Sequence, residues 1–151
     1  MLATNSPECL WDLCLQYVAA IRSHTALSIH ELEGEVPAMR LIGDTADISH
    51  LAEFGWYDWV WYISPEDIKM EHRSLGWYVG PSSDVGDALC ARIITAKGKF
   101  VNRTSVFPLT NEDVRSEAVK KRQEEFELSL KDALGDRYVF AKDSTKQVRG
   151  R

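Results

Sequence analysis

The chain has 151 residues, 44% of them apolar and 27% charged, the profile of an ordinary soluble domain. At this length folding buries roughly 68–70% of the surface that the unfolded chain exposes, so a core is attainable without metals or disulfides. The net charge of −5 excludes phosphate neutralisation by the chain as a whole, because that kind of binding needs surplus Lys and Arg. The charge is uneven, however. Residues 1–53 hold 2 basic and 8 acidic residues, residues 54–109 hold 6 and 6, and residues 110–151 hold 10 and 9. Within residues 137–151 five bases stand against Asp143 alone.

Ser6-Pro7-Glu8 reads as a helix start, with a hydroxyl cap, a Pro whose missing N–H costs nothing in the first turn, and an acid facing the dipole. Leu10, Leu13, Cys14, Tyr17, Val18 and Ile21 then form one apolar stripe of a helix running to about Ser23. Trp11 and Leu15 widen that stripe, which predicts packing on two neighbours. Residues 25–53 offer little cover for it. They hold a short helix from Pro37 to Ile42 ended by Gly43, then a turn capped by Asp47 that runs to about Phe54. The helix is therefore expected to leave apolar surface open, giving either poor solubility or a homodimer through this helix.

From Gly55 the apolar period changes to two. Residues 55–63, rich in Trp, Tyr and Val, read as a strand apolar on both faces and therefore central or overlaid. Residues 64–72 form a polar loop. Leu75, Trp77 and Val79 alternate with Ser74, Gly76, Tyr78 and Gly80 in a second strand stopped by Pro81, and Leu89 to Ile94 gives a third. Ala96-Lys97-Gly98-Lys99 is a tight turn with Gly where positive φ is needed, and Phe100 to Phe107 is a fourth strand. Such short antiparallel strands make a small barrel or meander. Thr110-x-x-Asp113 has capping-box spacing and opens a long helix to about Leu134, closed by Gly135. Its apolar seam is thin (Val119, Phe126, Leu130, Ala133) and its Glu/Lys pairs four apart predict a largely solvated helix that leans lightly or projects outward. The last residues, from 136 on, read as a disordered basic tail.

No catalytic constellation emerges. His24, His30, His50 and His72 lack the spacing of a zinc site, and no phosphate-cradling Gly loop or Gly-x-Ser-x-Gly elbow occurs. Cys9, Cys14 and Cys90 form neither an even set nor a metal spacing and read as reduced, mostly buried thiols. No stretch reaches the ≥18 apolar residues of a membrane span and no secretory signal opens the chain, so the expectation is an intracellular protein, nuclear or cytoplasmic, without a membrane partner. No cofactor, no metal and no enzymatic activity of its own are expected. The aromatic run that holds Trp56, Trp59 and Trp61, together with Trp77, admits two readings. The rings fill the core of a small barrel, or they form a cage or a nucleic-acid platform interleaved with basic residues.

The series Pro37-x-x-x-Leu41-x-Gly43-Asp44-Thr45-x-Asp47-Ile48-Ser49, then Phe54-Gly55, Leu75-Gly76-x-x-x-Gly80-Pro81, Gly86-Asp87-Ala88, Gly98 and Arg103-Thr104-Ser105-Val106, resembles the integrase region of copia-type LTR retrotransposon polyproteins. The likeness runs from about Leu10 to Thr110. It implies a segment 1–53 that ends an integrase catalytic core and its linker and an SH3-like β-barrel over 54–109; with the charged helix over 110–135 and the tail over 136–151 read above, the chain is expected to be α+β. Trp77 stands where some members carry Arg. The core's two Asp and one Glu would lie N-terminal to Met1, and Glu8 sits on the wrong side of the helix pattern to be that Glu. The expected function is that of a non-catalytic polyprotein fragment whose barrel binds DNA, or integrase and polyprotein subunits, during DNA integration. Arg73, Arg92, Lys97, Lys99 and Arg103 are the expected phosphate contacts. The alternatives are a protein-interaction module that binds a peptide through its aromatics, and a decayed element without activity.

Overall fold

The structure, a computed structural model, describes residues 4–26, 32–43, 48–65, 72–82 and 90–137. The expected Asp47 cap, the Gly86-Asp87-Ala88 motif, the loop residues 66–71 and the tail from residue 138 lie outside these ranges.

A 3-10 turn, Glu8–Leu10, leads into α1, Trp11–His24. Ser6 does not cap this helix. It is fully buried, and its hydroxyl accepts a hydrogen bond from the Trp56 indole N–H at 3.2 Å. The expected stripe is largely used: Leu10 and Tyr17 are buried and Leu13, Cys14 and Ile21 pack beside them, while Val18, Trp11 and Leu15 are exposed. The missing cover comes from the strands, since Tyr17 meets Tyr78 edge-on at 6.2 Å and Trp56 at 5.8 Å, and its hydroxyl donates to the Phe54 carbonyl. α2, Pro37–Ile42, ends at Gly43 as expected, and α3, Ser49–Ala52, follows.

Residues 55–58 form a turn rather than the start of a strand. The Asp58 carboxylate accepts from the Gly55 N–H at 2.7 Å, and Tyr57 takes a positive φ of 61°. The strands are β1, Trp59–Tyr62; β2, Ser74–Pro81; β3, Ala91–Ile94; β4, Phe100–Arg103; and β5, Val106–Pro108. They form one antiparallel sheet in the order β4-β3-β2-β1-β5, open between its two edge strands. β1 has neighbours on both sides, Trp59 facing Trp77 across one ladder and Trp61 facing Phe107 across the other, so it is an inner strand of the sheet.

The single strand expected from Phe100 to Phe107 is two strands at opposite edges. β3 offers only four pairing positions, which Phe100–Arg103 fill. Beyond Thr104 the chain crosses to β1, where Val106 pairs with Tyr62 and the Ile63 N–H donates to Ser105 O.

The last helix is also divided. α4, Asn111–Arg115, carries the complete Thr110/Asp113 capping box, Ser116 is extended, and α5, Glu117–Leu134, begins a new direction. α5 does not project outward. Val119, Phe126 and Leu130 are buried in a core continuous with Leu10, Tyr17 and the sheet, although Ala133 is exposed. Phe126 meets Trp59 edge-on at 5.2 Å, and Glu127 accepts from the Trp77 indole at 3.0 Å.

Close packing explains Gly76. A Cβ there would collide with Ile93 Cγ2 and lie 3.2 Å from Ile94 O. Neither a β-branched core side chain nor a sheet carbonyl gives way easily. Gly76→Ala is expected to cost about 1–3 kcal/mol, read as a lower urea midpoint at unchanged slope; a variant as stable as the parent would refute this packing.

Candidate nucleic-acid interface

The hairpin between β3 and β4 is built to hold two lysines outward. The Thr95 N–H donates to Lys99 O at 2.9 Å and the Gly98 N–H to Thr95 O at 2.9 Å, while the Thr95 hydroxyl donates to Lys99 O and accepts from the Lys99 N–H. Gly98 takes φ 69° at the tip, a conformation that costs a β-carbon residue dearly. Lys97 and Lys99 are both exposed.

These lysines, Arg103 of β4 and Arg122 of α5 line one open groove of about 830 Å³ between the hairpin and α5. Tyr62, Leu75, Val101 and Phe126 form part of its floor, and Glu125 is the acid among its lining residues. Four cations against one carboxylate give the groove a positive potential that the neutral charge count of residues 54–109 conceals. Arg103 is half-buried; its Nη1 donates to Asn102 O at 2.8 Å, and its Nε is buried with no hydrogen-bond partner among the described residues. Burial pushes the Tyr62 phenol up, against a hydrogen bond from Ser74 and the charge of Arg103, so the phenol stays neutral at physiological pH.

Of the five expected contacts, Lys97, Lys99 and Arg103 come together. Arg73 stands beside the groove but is engaged. It pairs with Asp113 at 3.3 Å and lies over the Trp61 ring at 4.5 Å, and Arg122 covers the same ring at 5.0 Å while donating to Arg73 O. Arg92 belongs elsewhere. It faces Asn102 across the β3–β4 ladder whereas Arg103 faces Ala91, so the two project from opposite sides. Arg92 lines separate cavities with Leu13 of α1. Arg122 was missed because its charge was counted with a solvated helix; its place one turn before Phe126 and three residues after Val119, on the buried seam, was the available signal.

The four tryptophans of the aromatic reading turn inward. Trp56 and Trp61 are buried, Trp59 and Trp77 half-buried. Trp59 stacks on Trp77 at 3.6 Å and Tyr57 stacks on Trp77 at 4.2 Å. The indole N–H groups of Trp56, Trp61 and Trp77 donate to Ser6, Asp113 and Glu127. None of the four lines the groove. Among the described residues no three His, Cys, Asp or Glu side chains gather into a metal-binding group, and no helix is long and apolar enough to cross a membrane. Neither a family model, a curated protein nor a solved structure matches this chain.

Asp113 holds this corner together. Its carboxyl lies below the usual carboxylate range because the Thr110 backbone N–H, the Thr110 hydroxyl, the Trp61 indole and Arg73 all favour the charged form, against the opposing effect of desolvation. A carboxyl depressed in the folded state stabilises above its unfolded pKa, and that stabilisation is lost as pH falls through the folded value. Asp113→Asn is expected to lower stability by about 1–2 kcal/mol at neutral pH, with the gap to the parent narrowing as the pH falls below the ordinary carboxylate range. Urea midpoints at neutral and at low pH check this; a gap unchanged at low pH removes the charge from the explanation.

Proposed function

We propose that this chain is a non-catalytic binding module that holds the phosphate backbone of DNA in the groove between the β3–β4 hairpin and α5. The convergence of Lys97, Lys99, Arg103 and Arg122 carries this reading. A groove lined with cations and floored by apolar side chains positions a backbone without reading bases, which is the division of labour in most protein–DNA contact.

The setting is the one the resemblance implies: the segment that follows the integrase core in copia-type retrotransposon polyproteins, with no catalytic carboxylates of its own. The finer fold is read as a partly open SH3-like barrel. In support, the last strand returns to pair with the first, β2 is long enough to serve both halves of the sheet, and its register shifts between Tyr78 and Pro81, where a bulge would curl the sheet. Binding a peptide through Trp59, Trp61 or Trp77 is the weaker reading, because these rings stack on one another or give their N–H groups to the protein itself.

Fluorescence anisotropy with a labelled duplex across a salt series tests the proposal. Three to four phosphate contacts predict a log–log slope of roughly −3 to −4. Lys97→Glu/Lys99→Glu is expected to abolish most binding at 50 mM salt while leaving the thermal midpoint unchanged, since both side chains are exposed. No binding at low salt, or binding without a salt slope, overturns it.

A further inference from the structure

α1 carries two apolar stripes, and the sheet covers one. Leu10, Leu13, Cys14, Tyr17 and Ile21 face the core. Trp11, Leu15, Val18 and Arg22, at spacings of 4, 3 and 4, occupy a separate face within a narrow sector of the helix. Trp11 is 62% exposed, Leu15 59% and Val18 43%, and Arg22 is exposed as well. α2, which packs against α1, adds Leu41 at 87% and Ile42 at 73% exposure. A single exposed leucine is ordinary. Five large apolar side chains exposed on two helices that pack together are more than the scattered single residues of an ordinary surface.

The order of the stripe identifies what covers it. Read backwards, Arg22, Val18, Leu15 and Trp11 keep the same spacings of 4, 3 and 4. We infer that two copies of this chain pair their α1 helices antiparallel, about a two-fold axis that passes midway between Gln16 and Tyr17. Trp11 then meets the partner subunit's Arg22 and Leu15 meets the partner subunit's Val18. Each end of the interface closes with a guanidinium on an indole face, an attraction that strengthens as the pair is desolvated. A parallel pairing would instead set Arg22 against the partner's Arg22. The antiparallel contact is isologous, so it ends at two copies rather than growing into a filament. No residue of α1 or α2 lines the cationic groove, so the inference stands apart from the DNA reading; where both hold, the dimer presents two grooves at once.

Sedimentation velocity of the full chain from about 1 to 200 μM is expected to show a reversible monomer–dimer equilibrium. Leu15→Glu is expected to raise the dimer dissociation constant by at least about tenfold, since burial of an unpaired carboxylate is costly. Trp11→Ala and Arg22→Ala are each expected to weaken the dimer, and the double variant no more than the stronger single one, because both remove the same contact. All three positions are exposed, so the thermal midpoint measured where the parent is monomeric is expected to stay at the parent's value, which separates lost pairing from lost folding. A monomer at every concentration, assembly that grows without limit, or strictly additive effects of Trp11→Ala and Arg22→Ala would each overturn the inference.

Discussion

Trp61 joins the helical C-terminal part to the sheet. Its ring is 1% exposed on the central strand β1, its N–H donates to Asp113 of α4, and guanidinium groups from β2's flank and from α5 lie over it. An indole offers a large apolar body, one donor and a negative face, and here each property holds a different element. Asp113 is tied at the same time to Thr110 and Arg73. The corner therefore fixes where α4 begins, and α5 starts anew after the extended Ser116. α5 in turn forms one wall of the groove and brings Arg122 to it.

The other tryptophans obey the same physical constraint. A buried N–H left without an acceptor costs on the order of 1–3 kcal/mol, and each of Trp56, Trp61 and Trp77 finds its acceptor about fifty residues away, on Ser6, Asp113 and Glu127. These acceptors sit in three separate parts of the chain. The sheet thus recruits its flanking segments through donors as well as through area, and the aromatic run is committed to the interior. What remains for recognition is the charged hairpin and the helix opposite it.

Local signals were legible. Pro37 and Gly43 bound α2, the alternation from Leu75 to Val79 marked β2, Gly98 marked the hairpin tip, and Thr110 with Asp113 made the capping box. Each depends on residues within one or two turns of each other. The sites that misread depended on distant ones. Nothing between Phe100 and Phe107 shows that β3 runs out of partners after Arg103, and the acidic and basic pairs of α5 mask the fact that Val119, Phe126 and Leu130 are enough to seat it on the sheet.

The sequence by itself determined the element types, the α+β class and three of the four groove cations, because periodicity, caps and turn chemistry act over a few residues. Only the tertiary structure decided which of two apolar stripes on α1 meets the core, that Arg73 is engaged with Asp113 while Arg103 lines the groove, and that Arg122 completes the groove. Those outcomes rest on competition among distant side chains for one surface or one acceptor, and a linear order of residues does not say which competitor arrives.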